Sequence, residues 1–158
     1  MPADLLNIFH RVAERVLDRR DSLIGLERCS SKAGSGVGFE AWLKVEAMRA
    51  LIDFAPQACN NGPDLELKNG DSRTTIELKA ATDLNCTPSE GLHMKGVCRY
   101  TGSPDFAGCI FLADGGCEER LENLAKISNV AQVQLVEYFR FPVGKRIWVI
   151  GLLTPKNY

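Results

Sequence analysis

The sequence predicts an α/β fold, with a mixed β-sheet flanked by helices, and three observations predict it. Apolar residues recur at helical spacing over residues 4–20 and again over 39–54. From Pro63 the period changes to two: Leu65 and Leu67, then Ile76, Leu78 and Ala80, are separated by polar residues, with Asn69-Gly70 between the two runs. Strand-like segments at 107–113, 130–139 and 146–153 enclose a helical stretch at 117–127, the spacing of a crossover that returns a strand to the same sheet. With 158 residues, 45% of them hydrophobic, the chain can close one core, so a single domain spanning 1–158 is expected.

The first helix places Leu5, Phe9, Val12 and Val16 on one face and Arg11, Arg15 and Arg19 on another. The basic stripe could touch phosphates, but nearby acids offer it ordinary surface pairing. Residues 30–38 form a Ser/Gly-rich loop. Its run Gly34-Ser35-Gly36-Val37-Gly38 follows no strand and lacks the Gly-Lys-Ser/Thr ending of a phosphate-binding loop. The second helix carries Trp42, Leu43, Ala47, Ala50 and Leu51 and stops before Pro56. Residues 82–106, rich in Thr, Pro, Ser and Gly, read as a long loop, and loops of that length are often functional.

Charge and composition exclude several classes. Nineteen Lys and Arg against twenty Asp and Glu give a net charge of -1, so the chain is no polybasic binder and any nucleic-acid contact must be local. No apolar run approaches the roughly 18 residues of a membrane span, and no basic-then-apolar leader opens the chain, so a soluble, cytoplasmic protein without membrane partners is expected. The six cysteines are expected to be reduced thiols, since a core of this size needs no disulfide staples. Cys86, His93 and Cys98 come nearest to a zinc pattern but lack the local ligand pair such sites use. A cysteine-nucleophile enzyme needs a neighbouring base, and only His10 and His93 are on offer.

The chemistry-bearing residues lie on the hairpin. With Asn69-Gly70 as a two-residue turn, Glu66 is expected opposite Arg73 and Asp64 opposite Thr75. Asp64, Glu66, Lys68, Arg73, Thr75, Glu77 and Lys79 then share one face, while Leu65, Leu67, Thr74, Ile76, Leu78 and Ala80 share the other. Glu77 falls diagonal to Asp64, roughly 7–8 Å away between backbones, a gap two carboxylates can bridge with a cation. Lys79 follows on the same face. Two hard oxygen donors beside an ammonium suit Mg²⁺, with Mn²⁺ as a substitute, and metal-assisted phosphodiester hydrolysis. The competing explanation is a solvated hairpin face laced with ordinary ion pairs.

Pro63-Asp64, twelve intervening residues and Glu77-Leu78-Lys79 resemble the signature of the PD-(D/E)XK nuclease superfamily. The resemblance implies a restriction-endonuclease-like αβββαβ core, here with an extra N-terminal helix. It implies Asp64 and Glu77 as metal ligands, the Leu78 carbonyl as a further ligand and Lys79 as the catalytic lysine. It also implies an acidic residue from the preceding helix. Glu40 is preferred over Glu46 for that place because it lies in the first turn among Phe39, Trp42 and Leu43. The activity implied is that of a metal-dependent endo- or exonuclease with nucleic acid, DNA by family analogy, as its partner. His93, Lys95 and Arg99, beside the long loop, are candidates for phosphate contact. A small near-neutral domain would reach both strands of a duplex as a homodimer. The alternative is a non-catalytic module that keeps the fold and binds nucleic acid or protein.

Overall fold

The computed structural model describes residues 3–30, 37–59, 62–69, 72–81, 97–116 and 132–156. It is a mixed α/β structure: three α-helices, a 3₁₀ turn and a six-stranded mixed sheet. The helices are α1 (Ala3–Asp18), α2 (Ser22–Ser30) and α3 (Val37–Ala50). The strands are β1 (Gln57–Ala58), β2 (Leu65–Asn69), β3 (Ser72–Ala81), β4 (Phe106–Gly116), β5 (Val133–Val143) and β6 (Arg146–Pro155), arranged β1-β2-β3-β4-β6-β5. Among the described strands only the β3/β4 pair is parallel. The expected helix at 117–127, most of the Ser/Gly loop and residues 82–96 lie outside the described residues.

The helices pack against one face of the sheet because each presents an apolar stripe to it. Leu5, Phe9, Val12 and Val16 of α1 and Phe39, Leu43 and Ala47 of α3 are buried with Leu65, Leu67, Ile76, Leu78, Ile110, Leu112, Ile150 and Leu152. Phe9 stacks on Phe139 at 5.7 Å, and Phe39 meets Trp148 at 5.2 Å. The indole N–H of Trp148 has no hydrogen-bond partner among the described residues. The opposite face of the sheet buries Phe106, Cys109, Phe111, Ala113, Val149 and Leu153 under Val97. Strand β4 is therefore apolar on both sides, as a central strand between two cores must be. At Gly151 an added Cβ would lie 2.4 Å from the Phe111 ring, so the absent side chain is what lets that ring cover β6.

Several expectations need correction. Residues 22–30 form a helix that the periodicity did not reveal, because among its residues of described burial, 22–26, Leu23 alone is fully buried and Gly25 interrupts the run. The second helix does not continue to Phe54. It ends at Ala50 and tightens into a 3₁₀ turn, Ile52–Phe54, closed by Ala55 in the left-handed region at φ 45°. Pro56, which has no N–H to donate, keeps the helix from resuming beyond that turn. The arginine stripe of α1 is used internally. Arg11 bonds Asp53 at 2.9 Å and lies over the Phe54 ring, and Arg15 bonds Glu46 at 2.7 Å.

The hairpin register also differs. Leu65 pairs with Ile76, Leu67 with Thr74, Lys68 with Arg73 and Asn69 with Ser72, so Asn69 belongs to β2 rather than to the turn. The expected register would have set Leu65 against Thr74 and Leu67 against Ser72. The observed one sets Leu65 against the equally buried Ile76. The offset is two residues, an even number, so every side chain keeps its expected face. No helix among the described residues is long and apolar enough to cross a membrane.

Candidate active site at the β2/β3 hairpin

Strand alternation puts Glu77 and Lys79 on the face of β3 away from the helices, between Ile76, Leu78 and Ala80 on the helix side. Continuing the observed register one step beyond Leu65 sets Asp64 directly opposite Glu77, closer than the diagonal placement expected from the sequence. A backbone bond holds the pair. The Leu78 N–H donates to Asp64 Oδ2 at 3.0 Å, and the Asp64 backbone lies close enough to the Glu77 carboxylate to pull its pKa down. The Asp64 carboxylate thus sits beside the Leu78 backbone.

Two lysines converge on these acids. Lys79 Nζ lies 2.7 Å from Glu77 Oε1 and 3.8 Å from Glu40 Oε2. Lys44 Nζ lies 3.2 Å from Asp64 Oδ1. Glu40 and Lys44 are one turn apart on α3 and so share the helix face that meets the hairpin. Glu40 also stands in the first turn of α3, where the helix dipole favours an anion. Three carboxylates against two ammonium groups leave the cluster one negative charge.

Burial decides the electrostatics. Glu77 is only 5% exposed, so the competing explanation of a solvated face does not hold at this position. β4 covers it: Cys109 is its partner across the parallel ladder and is fully buried. Burial pushes the Glu77 carboxyl above its ordinary value, and the Lys79 hydrogen bond and charge pull it down without cancelling that rise. Burial works against the Lys79 ammonium too, yet the bond and charge of Glu77, with Glu40 and Asp64 behind them, hold it above its usual range. The upward shift of Lys79 favours its protonated form. The Cys109 thiol is pushed well up, first by burial and then by the Glu77 carboxylate. Alkylation by iodoacetamide under native conditions is therefore expected to spare Cys109 until the chain unfolds, while the half-exposed Cys59 reacts; native labelling of both at equal rates in a peptide map would contradict this placement.

Other candidates are placed as follows. Glu46 is buried and held by Arg15 at 2.7 Å and Arg49 at 3.2 Å, so it ties α3 to α1 instead of reaching the hairpin. Glu40 is the helix acid beside Lys79. Arg99 is exposed in a helical turn, and no ion pair among the described residues links it to the hairpin acids. His93 and Lys95 lie outside the described residues, as does Cys86. Next to the site, Glu66 gathers Arg73 at 2.8 Å and Lys68 at 3.4 Å, which relieves the two cations set opposite each other in the ladder. Sequence reasoning missed Lys44. Its one signal was the four-residue spacing from Glu40, which has meaning only once the rotation of α3 is known.

Asp64, Glu77 and the Leu78 carbonyl offer hard oxygen donors, the kind that suits Mg²⁺. Among the described residues no group of three or more His, Cys, Asp or Glu side chains is close enough to hold a metal. A two-carboxylate set still fits this ion, because Mg²⁺ is commonly bound through one or two carboxylates and keeps waters or substrate oxygens in its remaining positions. No family model, curated protein or solved structure matches the chain.

Proposed function

We propose that this chain is a divalent-ion-dependent nuclease that hydrolyses phosphodiester bonds of nucleic acid, with DNA as the favoured substrate by resemblance. One observation carries the reading: Asp64, its Oδ2 accepting the Leu78 N–H, and Glu77, its Oε1 2.7 Å from Lys79 Nζ, stand at facing positions across the hairpin. Asp64, Glu77 and the Leu78 carbonyl would hold Mg²⁺ or Mn²⁺. Such an ion, when bound, supplies Lewis acidity toward a phosphoryl oxygen and charge to offset the transition state. Lys79 brings a fixed positive charge to the same spot, where it stabilises negative charge gathering on phosphoryl oxygens. Its bond to Glu77 fixes its position, so little reorganisation is needed when substrate arrives. Glu40, at 3.8 Å, steadies Lys79 from the helix side.

The test is incubation of the purified protein with supercoiled plasmid, single-stranded DNA and RNA, with Mn²⁺ or with a chelator. Cleavage that requires the ion is expected, and intact substrates in every arm would overturn the reading. A second reading, a non-catalytic module on the same frame, is favoured by one feature: each acid already has an ammonium partner, as in a purely structural ion-pair network. Calorimetry separates the two, because a structural network takes up no Mn²⁺.

A further inference from the structure

We propose that Lys44 is the resident counter-cation of Asp64 and sets how tightly the hairpin takes up a divalent ion; the proposal rests on the nuclease reading of the same site. The two oxygens of Asp64 have unlike partners. Oδ2 accepts the Leu78 N–H at 3.0 Å, a donor fixed in β3 that cannot leave without breaking the strand. Oδ1 faces the Lys44 ammonium at 3.2 Å, which stands at the end of a flexible four-carbon stem and is 28% exposed. Lys44 is therefore the displaceable partner. Lys79 is not its equivalent: it is shorter-bonded, more buried and held by Glu77 and Glu40 together.

A divalent cation and an ammonium cannot share Oδ1, because like charges a few ångströms apart repel strongly in a half-buried site. Ion uptake must release Lys44 from Asp64. The released ammonium stays tethered to α3 beside the site, one turn from Glu40, where a phosphodiester oxyanion is the ligand its charge suits. The ion-free cluster is thereby kept near neutrality, and the affinity for the ion is lowered by the competition.

Calorimetric titration of the full chain with MnCl₂ tests this without reference to catalysis. Lys44→Met is expected to bind Mn²⁺ about tenfold more tightly than the natural chain, by removing the competing charge. Lys44→Arg, which keeps the charge, is expected to stay within about twofold, and so is Lys68→Met, which removes a cation paired to Glu66 elsewhere on the same face. If Met at position 44 disturbs the circular dichroism spectrum, Lys44→Gln replaces it with the same expectation. A natural chain that binds Mn²⁺ while the neutral variants bind it no better overturns the role of Lys44 and leaves the nuclease reading standing. Equal tightening by Lys68→Met also overturns it, since the effect would then be one of net charge. No binding by the natural chain or any variant overturns the nuclease reading and this proposal with it.

Discussion

Asp64→Asn and Glu77→Gln are each expected to lower ion-dependent cleavage by at least about a thousandfold while moving the melting temperature by no more than about 5 °C. The size of the loss follows from what each carboxylate supplies. On the proposed reading two side-chain oxygens would hold the ion, so replacing either by an amide removes a formal charge from the donor set and leaves one carboxylate to hold a dication. The lost stabilisation acts in the transition state, where charge builds on the phosphoryl oxygens, and losses of that kind appear in the rate of the chemical step. Undiminished activity in both variants, measured on the best of the three substrates, would remove the hairpin from the mechanism.

The amide variants matter because alanine would confuse two effects at this site. Glu77 is 5% exposed and bonded to Lys79 at 2.7 Å, so truncation leaves a partly buried ammonium without its partner. Gln keeps the shape and an acceptor oxygen for Lys79, and a neutral group is easier to bury than the carboxylate. Asn at position 64 likewise keeps an oxygen for the Leu78 N–H. Protection of Cys109 from alkylation gives an internal check, since that thiol lies directly beneath Glu77 in the ladder and reports whether β3 still covers β4.

The alternation of Leu65, Leu67, Ile76, Leu78 and Ala80 was legible because a strand has a strict period of two and one face was to be buried. That alone located Glu77 and Lys79. The register was not legible: Asn69-Gly70 is the strongest turn signal nearby, yet matching Leu65 to the buried Ile76 outweighed it. The consequence reached the site, moving Asp64 from a diagonal to a facing position. The burial of Glu77 was also illegible, because the cover comes from β4, more than thirty residues away in the chain. Lys44 was hidden for a related reason. Which side of α3 meets the hairpin depends on how Phe39, Leu43 and Ala47 settle against the sheet, and spacing within one helix does not fix that rotation.

Glu46→Ala is expected to cost about 3 kcal/mol of folding stability, seen as a melting temperature lowered by about 6–12 °C. Glu46 is 4% exposed and accepts from Arg15 at 2.7 Å and Arg49 at 3.2 Å. Its removal leaves the half-buried Arg15 guanidinium without a counter-charge exactly where α1 meets α3, and breaking a buried pair by taking one partner costs far more than an exposed pair is worth. Glu40→Ala provides the contrast. Glu40 is only half-buried and meets Lys79 only at 3.8 Å, so its loss should change stability by about 0.5 kcal/mol or less. If the nuclease reading holds, the order reverses for function: Glu40→Ala slows cleavage by loosening Lys79, and Glu46→Ala, assayed below its lowered melting point, retains the natural rate. A Glu46→Ala protein that melts like the natural chain would mean that the Arg15 contact does not hold α1 against α3.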